Sequence, residues 1–214
     1  MSNSSLFTRA ADICGLIGSL VILAAFAIAM VFPNNDWPSG PVYGTAALLL
    51  LAHVAGLLLH RRGRPRLLSN LSLAVTMLGL ATVASIAALD TIARMGISST
   101  DADDYWAVLM VALLLIILGL TTYSFTASVG GVFPSWVALP LAFTGVTLLL
   151  CVPVFMMGPP IIPVAVHDFV NTLFPILMIA FFTLWGLMSV VGLRNSPAGT
   201  PTSSGLTPRH GTPT

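Results

Sequence analysis

The chain contains no lysine, no glutamate and no glutamine, and only 7% of its residues carry charge. Soluble domains carry about 25% charged residues. A chain this poor in charge cannot clothe itself in a water-compatible surface, so lipid is the expected solvent. The net charge of +1 removes the electrostatic case for nucleic acid as a partner. Cysteine is scarce too: Cys14 and Cys151 are the only two. They fall at different depths of their expected helices, roughly 20 Å apart at about 1.5 Å per residue. A disulfide tolerates only about 7 Å between Cα atoms, so both read as small apolar packing residues.

What the chain has in excess is apolar length. Hydrophobic residues make up 57% of it, and a spanning helix needs about 20 of them in a row. Six runs qualify, at about 13–32, 42–60, 68–94, 105–127, 134–157 and 168–192. Pro33 stops the first, and Arg61, Arg62, Arg64 and Arg66 follow the second. Ser99 or Thr100 can cap the fourth, with Asp101, Asp103 and Asp104 in its first turn, where carboxylates favour the helix dipole. Pro134 suits a first helical position, and Pro175 is expected to kink the sixth helix.

These runs predict an all-α, membrane-spanning bundle of six transmembrane helices. Residues 1–12 are expected as a short cytoplasmic N-terminus. Residues 195–214, rich in Pro, Ser, Thr and Gly, are expected as a disordered cytoplasmic tail. The first apolar run exceeds the usual 7–15 residues of a signal peptide, so it reads as an uncleaved anchor.

Orientation follows from the arginines. With both termini inside, Arg9, Arg61, Arg62, Arg64, Arg66, Arg194 and Arg209 are all cytoplasmic and only Arg94 is outside, as the positive-inside rule prefers. Asp12 is then the one aspartate inside. Aromatic residues agree with this layout. Trp37, Tyr43, Tyr105 and Trp106 map to the outer interface, and Tyr123, Trp136 and Trp185 toward the inner one, as an aromatic belt requires. The two halves of the chain show no convincing self-similarity of the kind inverted-repeat transporters carry.

Few residues are left that can carry chemistry. On the third helix Ser69, Ser72, Thr76, Gly79, Ala87, Asp90 and Arg94 fall within about 60° of one line at 100° per residue. That face is expected to look into the bundle, either as a packing seam with its hydroxyls bonded to backbone or as a polar lane to a charged mouth. Asp90 and Arg94, four apart, can pair. His167, Asp168 and Asn171 open the sixth helix at the same level. If the third and sixth helices touch, these five residues form one outward polar pocket. His53 is the one ionisable side chain expected deep in the membrane, either as a functional group or as an interhelical hydrogen-bond donor.

No nucleophile–base pair or set of three metal ligands is evident, so no catalytic residue, metal or cofactor is expected. The basic run Arg61, Arg62, Arg64 and Arg66 could contact anionic lipid, but chiefly reads as a topogenic signal.

Three short stretches carry a resemblance: LLLHRRGR at 57–64, GVFPSW at 131–136, and LWGL at 184–187 continuing to GLR at 192–194. In these the chain resembles a group of uncharacterised bacterial six-helix membrane proteins. The resemblance implies six helices in a bacterial inner (plasma) membrane and supplies no activity, ligand or site residue. The leading functional expectation is a non-enzymatic accessory or structural membrane component. The alternative is a small transporter or permease-like protein using the polar pocket between the third and sixth helices.

Overall fold

The computed structural model describes residues 3–31, 39–60, 67–95, 105–157 and 162–195. Among these the chain is all-helical, with α1 (Asn3–Val31), α2 (Ser39–His60), α3 (Leu67–Arg94), α4 (Trp106–Val129), α5 (Ser135–Met157) and α6 (Val164–Asn195). All six are long and apolar enough to cross a membrane. The arginine run at 61–66, the acidic first turn expected at 101–104, and the tail from 196 lie outside the described residues, as does Trp37.

Each helix packs against its sequence neighbours, and α6 returns against α1, so the six close into a ring. Glycines report how the helices run. A Cβ on Gly15 or Gly18 of α1 would meet His53 or Leu50 of α2, while one on Gly56 would meet Ala11. As α1 ascends, its partners on α2 descend, so the pair is antiparallel. Gly79 and Gly119 give the same result for α3 and α4, and Gly186 and Gly192 for α6 against Ser19 and Asp12 of α1. Lipid gives no hydrophobic reward for helix association, so close backbone approach through small residues supplies the contact. We refer to the end holding the start of α1 and the end of α6 as the terminal end, and to the other as the far end.

The inner face of the ring holds Leu50, Leu73, Ile117, Leu120, Leu141, Leu148, Phe181 and Trp185, all fully buried. Leu48, Leu78, Leu118, Phe125, Phe143, Leu150 and Phe169 point outward and are exposed, as lipid-facing positions are. Hydroxyls on that outer face are not left bare. Thr82, Ser85, Thr122, Thr144, Thr147, Thr172 and Thr183 each donate to the carbonyl four residues back. An unsatisfied hydroxyl in hydrocarbon would cost several kcal/mol, about as much as a bare backbone group.

Every helix start differs from the sequence reading, by one residue for α3, α4 and α5, by three for α2, which begins at Ser39, and by more for α1 and α6. α1 begins at Asn3 rather than at Ile13, which places Asp12 inside a spanning segment. α6 begins at Val164, and its first turn is anchored by Val166 and His167 amides donating to the Pro163 carbonyl. His167 and Asp168 therefore lie a turn inside the helix instead of opening it. Pro134 stands just before α5, accepting from the Val137 and Ala138 amides. Pro175 lies within a continuous α6.

The α4–α5 connection is a tight turn through Gly130 and Gly131. Gly131 adopts φ +66°, and the Val132 amide reaches the Ala127 carbonyl at 2.9 Å. This is the bond that closes a helix terminated by a left-handed glycine.

Two aromatics depart from the interfacial belt. Trp106 and Trp136 are exposed, as belt residues are, but Tyr123 and Trp185 are fully buried in the core. Their place along the helix is what an interfacial reading uses, but their helix faces turn them into the ring.

Candidate functional site

The inward face expected on α3 is observed: Ser69, Ser72, Thr76, Gly79 and Ala87 are all buried. Along most of its length it is a packing seam. Ser72 Oγ donates to the Ser69 carbonyl and Thr76 Oγ1 to the Ser72 carbonyl, each at 2.9 Å. Gly79 and Gly119 bring the α3 and α4 backbones together beside them.

Toward the far end this seam opens into a cavity of about 290 Å³. Small residues facing the bundle (Gly40 and Ala47 on α2, Ala87 on α3) line it and leave it room. The remaining wall is almost wholly apolar: Ile22 and Phe26 of α1, Leu80 and Val83 of α3, Leu113 and Ile116 of α4, Met178 and Phe182 of α6. Polar groups occur only at the rim, where Tyr43, Asp90 and Arg94 stand.

Arg94 Nε donates to Asp90 Oδ2 at 3.0 Å. The Arg94 side chain is 46% exposed while Asp90 is 13% exposed, so the pair bridges the cavity and the surface. Gly40 makes room for the Asp90 carboxylate, which occupies the space its Cβ would need.

The sequence-predicted pocket is therefore divided. Asp90 and Arg94 line the cavity; His167, Asp168 and Asn171 are not among its lining residues. α3 and α6 share no extensive interface in the ring. The second group keeps to itself on α6, with His167 Nδ1 3.1 Å from Asn171 Nδ2 and Asp168 largely exposed.

A second site lies in the terminal half, where three helices converge on His53. Its ring is fully buried. Nδ1 stands 3.2 Å from the Ala11 carbonyl oxygen and 3.5 Å from Asp12 Oδ1, both on α1. On the other side of the ring, Nε2 is 3.4 Å from Ser189 Oγ of α6. Ser189 Oγ also lies 3.3 Å from the Trp185 carbonyl oxygen.

Because the Ala11 carbonyl can only accept, Nδ1 carries the hydrogen of the neutral ring, and Nε2 is left as the acceptor facing Ser189. An aromatic stack joins the two sites. Phe182, in the cavity wall, stacks on Trp185 at 5.9 Å with planes 12° apart, and Trp185 lies 6.5 Å from the His53 ring.

No protein-family model, curated protein or solved structure matches the chain. The site must be read from its own geometry.

Sequence reasoning singled out His53 but found no deep polar partner for it. The apolar run opens at Ile13, one residue after Asp12, so hydropathy alone leaves Asp12 outside a helix that in fact begins at Asn3. Ser189 was missed because a single serine in an apolar helix is an ordinary packing residue. The available signal was spacing: Trp185, Ser189 and Gly192 recur at i, i+4 and i+7, one face of a helix.

Proposed function

We propose that this protein is a permease-like membrane protein that binds a small amphiphile in the cavity between α1, α2, α3, α4 and α6. The observation that carries this reading is the composition of the cavity: about 290 Å³, with an almost wholly apolar wall and Tyr43 and one ion pair at its rim. Ligand sites are typically apolar pockets of about 300–1,000 Å³ with a few placed polar groups. An apolar body fits the depth. A neutral or zwitterionic head fits the rim, because Asp90 and Arg94 together present both signs and no net charge.

The arginine distribution supports placing both termini in the cytoplasm and the cavity mouth outside, in a bacterial inner membrane as the resemblance implies. On that orientation Arg61, Arg62, Arg64 and Arg66 stand where anionic headgroups would meet them.

Native mass spectrometry of the protein purified in mild detergent tests the reading. A stoichiometric amphiphile mass is expected on the wild type. It should be lost from Val83→Phe and Leu113→Phe, which fill the cavity, and kept by Leu78→Phe on the lipid face. A bare wild-type chain, or an adduct indifferent to cavity filling, returns the protein to an accessory or structural role.

A further inference from the structure

We propose that Asp12, His53 and Ser189 form a membrane-buried proton-binding site that serves as the energy-coupling element of the same protein. The coupling rests on the permease-like reading; the proton site itself does not.

The geometry supplies partners for both protonation states of the imidazole. In the neutral ring Nδ1–H donates to the Ala11 carbonyl, and Ser189 Oγ–H donates to Nε2. When a proton arrives, it bonds to the Nε2 lone pair. Nε2–H becomes a donor to Ser189 Oγ, whose own hydrogen turns to the Trp185 carbonyl 3.3 Å away. The hydroxyl thus has an acceptor waiting in either state. The new positive charge sits 3.5 Å from the Asp12 carboxylate, so the charged form is an ion pair.

The ionisable surroundings are sparse. α1 supplies Asp12, with Arg9 and Cys14 the other titratable residues on that stretch; α6 supplies Ser189 and Trp185, with Arg194 beyond them. α3, the other neighbour of α2, carries no titratable residue before Asp90. Ionisable groups inside a membrane are costly, and they mark proton and ion pathways.

The same three residue types in the same order also build acyl-transfer sites. Sterics decide against that reading. Ser189 is fully buried, and a Cβ on Gly15 alone would already stand 2.5 Å from its Oγ. No acyl carbon can approach that oxygen, whereas a proton can.

Polar atoms also stand in the layer that separates the site from the cavity. Between His53 and the cavity floor lie Ser19 Oγ and Trp185 Nε1, buried polar atoms without a hydrogen-bond partner. The Trp185–Phe182 stack spans the same layer.

The test uses the full chain in detergent with Trp37, Trp106 and Trp136 replaced by Phe, leaving Trp185 as sole reporter. An imidazolium at this distance quenches indole emission. A single sigmoidal loss of Trp185 emission is expected as pH falls from about 9 to about 4. It should be absent in His53→Gln, and Asp12→Asn should weaken proton binding about tenfold or more.

Should His53→Gln fail to fold, a chain bearing His60→Gln, His167→Gln and His210→Gln leaves His53 as the only imidazole. Its isotope-labelled ring nitrogens then report protonation directly. Emission and ring resonances that stay flat over the whole range overturn the proposal. Titration through His53 in a protein that carries no amphiphile leaves the proton site standing and removes the cavity reading. An amphiphile adduct without titration does the reverse.

Discussion

Gly15 of α1 lies against the His53 imidazole of α2 so closely that a Cβ there would stand 2.5 Å from His53 Cγ. The same Cβ would stand 2.5 Å from Ser189 Oγ, so one missing side chain makes room for a three-helix junction. Gly15→Ala is expected to displace the imidazole and destabilise the bundle by about 1–3 kcal/mol, the usual cost of overpacking. Thermal unfolding in detergent checks this, with the lipid-facing Leu20→Ala as comparison. An unchanged midpoint would show that the junction has slack.

The α3–α4 seam is less forgiving. A Cβ on Gly119 would come within 2.5 Å of the Ser72 carbonyl oxygen and 2.8 Å of the Thr76 amide nitrogen. Both obstacles are backbone, so no rotamer change can relieve them. Gly119→Ala is expected to lower the unfolding midpoint more than Gly15→Ala does, corresponding to about 2 kcal/mol or more. Equal effects would contradict this ranking.

Two hydroxyls of similar chemistry are expected to behave differently. Ser189→Ala leaves His53 Nε2 buried without its partner, and such an orphaned acceptor costs about 1–3 kcal/mol. Thr122 faces lipid and bonds only the Leu118 carbonyl of its own helix. Thr122→Val is expected to stay within about 0.5 kcal/mol of wild type. Chemical or thermal unfolding of the two variants side by side distinguishes them.

The Asp90–Arg94 pair sits four apart on an exposed helix end, a setting worth only about 0.3–0.5 kcal/mol. Arg94→Gln is therefore expected to leave the unfolding midpoint nearly unchanged while reducing amphiphile retention several-fold in native mass spectra. The exchanged pair Asp90→Arg with Arg94→Asp should recover part of that retention. A loss of stability without a loss of retention would make the pair a structural clasp.

Much of the fold was legible because lipid imposes a length rule that composition satisfies in six places. The inward face of α3 was legible too, since Ser69, Ser72, Thr76 and Gly79 repeat at helical spacing. Helix starts were less so. An apolar run marks where a chain meets hydrocarbon, whereas α1 begins at Asn3 with polar turns that precede it. That difference hid Asp12. Sequence position gives the depth of Trp185 but not its side of the helix, which is set by packing against Phe181, Phe182 and His53. The partner of α3 across the ring could not be read at all. Which helices touch depends on how the ring closes, and His167 and Asp90 carry no local signal of it.

The closure of α6 on α1 also has a consequence for biosynthesis. A nascent chain that has delivered α1 to α5 already holds Asp12 and His53, but Ser189 and Trp185 arrive only with α6. Until then the α1–α2 pair presents a carboxylate and an imidazole on an unfinished edge, where Ser19 and Asp12 await Gly186 and Gly192. Assembly of the polar junction accordingly waits on α6, which seals it, and truncation before residue 189 strands an acid and a base within the bilayer.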